Sequence, residues 1–131
     1  MLKLTKEGFS VMLKDDGEHP IPAAWRVSLR QIASAFVVGD FELRKHPVQG
    51  VAPIEHATAK HIAENVTAYG ERLAPLNDAT WERSVYRWMN GYWDILVDLT
   101  TEVEAVSDLT LHATLQEAEG SRLEITSVHV P

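Results

Sequence analysis

Five side chains hold most of the chemistry this sequence could perform: Asp94, Asp98, Thr110, His112 and His129. They converge through strand register. Trp93, Ile95, Val97 and Leu99 alternate with Asp94, Leu96, Asp98 and Thr100, and Leu109, Leu111, Ala113 and Leu115 alternate with polar residues. Such alternation reads as half-buried antiparallel strands, and the connection 102–107 makes them a hairpin. Matching apolar faces pairs Val97 with Leu111 and Leu99 with Leu109. Leu96 then lies across from His112, with Asp94 and Asp98 on its diagonals. A further strand brings Thr126 beside His112 and His129 beside Thr110.

A carboxylate next to an imidazole can orient a general base or join it in holding a metal. Asp98, His112 and His129 are therefore the candidate catalytic residues. No nucleophile or oxyanion hole is fixed by the spacing, and any half-buried sheet presents a polar face without needing a function for it. Other chemistry is thinner. The chain has no cysteine, which removes disulfides, thiol nucleophiles and iron–sulfur ligation. No H-E-x-x-H, G-x-S-x-G or glycine-rich phosphate loop occurs. His56 and His61 are five residues apart, which turns them about 140° away from each other on a helix. No cofactor and no metal is expected.

The elements that must position these residues fall into three zones. Residues 2–13 alternate in two parities that a hairpin turning at Glu7-Gly8 reconciles. Trp25, Leu29, Ile32 and Phe36 form one helical stripe, with Pro22 at its start and Gly39 at its end. A loop over residues 39–53 follows. Ala59, Ile62, Val66 and Tyr69 mark a second helix, closed by Gly70. A third is expected from Asn77 or Asp78, with Trp81, Val85, Trp88 and Tyr92 as its stripe and Gly91 as its stop. The strands come last, over residues 93–101, 108–117 and 122–130. In the final strand Leu123 and Ile125 are odd but Val128 and Val130 are even, so a β-bulge is expected near Thr126-Ser127. The chain then reads as a single α+β domain over residues 1–131. In it an antiparallel β-sheet, made of the N-terminal hairpin and a C-terminal three-stranded meander, is packed on one face by about three helices.

Part of this pattern is also familiar. Thr80-Trp81-Glu82-Arg83-Ser84-Val85, Trp88, Tyr92-Trp93, Val97-Asp98-Leu99-Thr100-Thr101, Ser107-Asp108-Leu109 and Val128-His129-Val130-Pro131 resemble a family of small bacterial proteins classed as a domain of unknown function. The resemblance covers roughly residues 59–131. It implies a bacterial, single-domain protein and supplies no catalytic residues.

At 131 residues the chain can bury a core unaided, and 45% of it is hydrophobic. Its net charge of −7 is unevenly placed. Residues 1–65 hold eight bases and eight acids, whereas residues 66–131 hold four arginines against eleven acids. That field repels phosphate backbones, so nucleic acid is not the expected partner. It would draw a basic protein surface instead. Glu102, Glu104, Glu117 and Glu119 flank the two hairpin turns and are the candidate partner-binding residues. With no apolar leader and no span long enough for a bilayer, the expected setting is cytoplasmic, away from membrane.

Three functions fit these residues. The first is a protein-binding module, like an immunity protein or antitoxin, that masks a basic partner; a homodimer is compatible with it. The second is a small-ligand binder with a pocket between helices and sheet, walled by Trp25, Trp81, Trp88 and Trp93. Their stripe spacing favours the other reading, a core whose large side chains fill the gap between helices and sheet. The third is an enzyme using the Asp/His patch.

Overall fold

Pro22 sets the start of the first helix. Its carbonyl accepts the N–H groups of Trp25 and Arg26 from the N-cap position, where its ψ of 146° is still extended. The helical turns therefore begin one residue later than the expected first-turn proline, at Ala23. The computed structural model describes residues 12–131. The hairpin expected over residues 2–13 therefore lies almost wholly outside the described residues. Helix α1 runs over Ala23–Val37 and buries Trp25, Leu29, Ile32 and Phe36, the stripe read from the sequence. Gly39, at φ +82°, lets the chain turn away, and the Asp40 N–H closes back on the Ala35 carbonyl. Helix α2, His56–Tyr69, ends the same way at Gly70, at φ +88°.

The strands are β1 (His19–Pro20), β2 (Leu73–Ala74), β3 (Val85–Trp88), β4 (Tyr92–Asp98), β5 (Thr100–Thr101), β6 (Thr110–Gln116) and β7 (Glu124–His129). A five-stranded antiparallel sheet has the order β1-β3-β4-β6-β7, and β2 pairs with β5 in a separate two-stranded sheet. The expected meander is β4-β6-β7. Its register is as the alternation demands, with Val97 opposite Leu111 and Leu96 opposite His112. The bulge also falls where parity requires it. His112 faces Ser127 and Ala113 faces Ile125, so Thr126 is the extra residue, its hydroxyl donating to the His112 carbonyl at 3.0 Å. Ile125 and Val128 consequently both point inward and are buried.

The expected third helix is not there. Among the described residues there are two α-helices, and the segment in question is a short 3₁₀ turn, Asp78–Glu82, followed by strand β3. Asn77 does cap that turn, accepting the Ala79 N–H. The chain then reverses at Asn90-Gly91, where Asn90 takes φ +57°, Gly91 takes φ +131°, and the Met89 N–H bonds to the Tyr92 carbonyl. Asn-Gly is the strongest short hairpin signal, because both residues tolerate left-handed backbone. Trp88 and Trp93 face each other across it, and their rings lie 4.9 Å apart. The spacing of Trp81, Val85, Trp88 and Tyr92 imitates a helix only because a turn and two strands meet there.

The inner face of the sheet and the helices enclose one core. Trp93, Val97, Leu109, Leu111, Ala113, Leu115 and Val128 are buried there together with Ile32, Phe36 and Ile62. The Trp93 indole N–H donates to the Leu13 carbonyl at 3.1 Å, satisfying its one polar atom. No helix of the described residues is long and apolar enough to cross a membrane.

Candidate functional site

The alternation that buries odd residues of β4 and β6 turns Asp94, Leu96, Asp98, Thr110, His112 and Thr114 to the outer face of the sheet. Ser127 and His129 join them from β7, opposite His112 and Thr110. The candidate residues Asp98, His112 and His129 thus share one face with Asp94 and Thr110. They do not share one cluster.

His112 Nε2 donates to Asp94 Oδ1 at 2.9 Å, and the Asp94 side chain is only 9% exposed against 30% for His112. Asp94 rather than Asp98 therefore orients this imidazole. Asp98 accepts the Thr110 hydroxyl on Oδ1 at 2.9 Å and faces Arg83 Nε through Oδ2 at 3.6 Å. His129 Nδ1 meets the Ser127 hydroxyl at 2.9 Å. Each of these bonds stays within its own pair, and no hydrogen bond links Asp98, His112 and His129 to one another among the described residues. In the neutral His112 a proton on Nε2 leaves Nδ1 as an acceptor, the arrangement of a held base. The hydroxyl opposite it, that of Ser127, is bonded to His129 instead. Among the described residues no three histidines or carboxylates converge to hold a metal ion.

Two cations of this face were not among the sequence candidates. Arg83 reaches it from the 3₁₀ turn, and Arg87 stands on β3 directly opposite Asp94. Arg87 Nη1 lies 3.8 Å from Glu18, while its Nε is buried without an acceptor among the described residues. The signal that would have found Arg87 is the Asn90-Gly91 turn, which fixes β3 against β4 and so sets Arg87 across from Asp94.

The four candidate glutamates are divided. Glu102 and Glu104 lie in the connection between β4 and β6, and Glu117 and Glu119 lie in the turn between β6 and β7. The two turns are at opposite ends of β6, separated by roughly 20 Å of strand. Within each pair one glutamate is already engaged. Glu104 accepts the Tyr69 hydroxyl on both carboxylate oxygens, at 2.8 and 2.9 Å, and its backbone N–H bonds to Thr101 Oγ1. Glu117 is ion-paired to Lys14. Glu102 and Glu119 remain exposed.

Elsewhere, Asp40 is used by its own loop. It accepts backbone N–H groups from Arg44, Lys45 and His46. Burial would push its carboxyl up, but the His46, Arg44 and Lys45 N–H bonds hold it below the ordinary value. His56 is bonded to Glu42, and no partner joins it to His61 among the described residues. Between helices and inner sheet face the space is filled by Trp93, Ile95, Ile32 and Ile62, and clefts of a few hundred Å³ open at the margins of this packing instead.

No curated protein and no solved structure matches the chain. A family described as a domain of unknown function, DUF7668, matches residues 33–131, which takes in α2, every strand from β2 to β7 and most of the outer-face residues. The chain belongs to this family of domains of unknown function.

Proposed function

We propose that the protein is a protein-binding module that presents the outer face of its sheet to a basic partner, masking it as an immunity protein or antitoxin would. One observation carries the reading. The inner face is spent on the core, whereas the outer face keeps His112, Thr114, Gln116, Glu124 and Thr126 half-buried or exposed, and holds its two aspartates in place, Asp94 by His112 and Asp98 by Thr110. Charges held in place before contact lose little entropy on binding and still steer an approaching partner. Asp94, Asp98 and Glu124 are the acids of this face, set against Arg83 and Arg87, and Glu102 and Glu119 add acid at the two ends of β6. The surplus of acid after residue 65 makes the partner basic rather than acidic. A cytoplasmic, bacterial setting goes with this reading.

The experiment is capture from a native lysate on immobilised protein, at low and at raised salt. The reading expects basic proteins to be retained, with association slowed by salt much more than dissociation. Retention of acidic proteins only, or of none, would contradict it.

A further inference from the structure

A second surface, distant from the outer-face histidines in sequence and not used in the reading above, carries its own chemistry. Arg26 and Arg30 are one turn apart on α1, so both project from the same side of the helix. Both guanidinium groups lie over the Trp81 ring, at 5.2 and 5.4 Å from its centroid. With Asp78 and Glu82 they line a cleft of about 370 Å³.

Packing alone does not require this arrangement. One guanidinium is enough to cover an indole, and a second brings two like charges to the same ring. Arg26 is anchored only at its neck, where Nε donates to the Ile21 carbonyl at 2.9 Å; its terminal nitrogens have no acceptor among the described residues. Arg30 is ion-paired to Asp78, but the Asp78 side chain is 85% exposed, so that contact competes with water and exchanges readily. Trp81 beneath them is buried, and its indole N–H has no acceptor among the described residues. Paired arginine forks have a natural complement, an oxygen-bearing anion.

We propose that this cleft is a binding site for the carboxylate or phosphate group of a small ligand. Arg26 and Arg30 grip the anion with their terminal N–H groups, Asp78 yields its place on Arg30, and Trp81 closes the site from beneath. Planar guanidinium forks match both oxyanions, so the shared chemistry is the oxyanion itself.

The test titrates the isotope-labelled protein with inorganic phosphate, with acetate and with chloride at matched ionic strength, following the Trp81 indole N–H resonance assigned through Trp81→Phe. The proposal expects a saturable shift with phosphate, acetate or both, and none with chloride. Phosphate alone would make the ligand a phosphoryl compound, and acetate alone a carboxylate. Arg26→Gln should weaken the binding roughly tenfold or more, whereas Arg44→Gln, on another surface, should leave it unchanged. Should Trp81→Phe fail to fold, the same comparison is read from melting temperature: the anion should raise it for wild type and Arg44→Gln but not for Arg26→Gln. Equal drift with all three anions, or an Arg26→Gln protein that responds like wild type, would overturn the proposal.

Discussion

Individual side chains in this protein are decided by what they meet from distant parts of the chain. Trp93 and Trp88 face each other on adjacent strands, yet Trp93 is 0% exposed while Trp88 is only partly buried against the core. Trp93→Ala should therefore cost about 3–5 kcal/mol through the cavity it leaves, and Trp88→Ala about half of that, measured by denaturant unfolding. Tyr69 makes a second case. Its oxygen accepts the Asp108 N–H, which lowers the pKa of the phenol, but burial and the Glu104 carboxylate raise it more, so it sits above its ordinary value. Folding therefore favours the protonated phenol. Its stabilisation is complete below the pKa of the unfolded tyrosine and is lost as pH rises through the higher folded value. Tyr69→Phe should cost about 1–2 kcal/mol at neutral pH, and the gap to wild type should narrow above roughly pH 10. The strand register, and with it the set of residues on the outer face, could be read from alternation alone. Which aspartate takes His112 could not, because both lie on its diagonals, and the choice turns on Thr110 and Arg83 claiming Asp98. The inward turn of Glu104 was equally hidden, since its partner Tyr69 comes from a helix many residues away.

Among the elements, long periodic segments were legible and short ones were not. Strands β4, β6 and β7 and helix α1 declare themselves by period, and the parity slip in the last strand places the bulge at Thr126. Strand β3 has only four residues, too few to distinguish a period of two from one of 3.6, and the Asn90-Gly91 reversal was the cue that outweighed its spacing. The bulge offers a direct test of this account of register. Removing Thr126 leaves Ile125, Ser127 and Val128 in simple alternation against Ala113, His112 and Leu111. A Thr126 deletion should fold, losing about 1 kcal/mol for the bond to the His112 carbonyl. A Thr114 deletion should not, because it turns Leu115 outward and Gln116 into the core. Circular dichroism and thermal melts of the two variants separate these outcomes.

At the scale of the whole molecule, the two faces of the sheet divide the work. The inner face and the helices consume the large apolar side chains, and the outer face carries hydrogen-bonded aspartates flanked by exposed Glu102 and Glu119. The concentration of acid after residue 65 was plain in the sequence, and the meander order itself puts the two turns at opposite ends of β6. Hidden were the partners, Tyr69 and Lys14, that engage one glutamate of each pair. The outer face is proposed above as the contact surface for a basic partner. Thr114 sits in the middle of that face, between Asp94 and Glu124, so an arginine there would find acidic neighbours and leave the fold intact. The decisive measurement is the association rate and affinity of the captured partner for Thr114→Arg beside Ala57→Arg, whose change lies on the exposed side of α2. Thr114→Arg should weaken binding at least about tenfold, chiefly through slower association at low salt, while Ala57→Arg should bind like wild type. Unchanged binding by Thr114→Arg, or equal loss in both variants, would contradict that proposal.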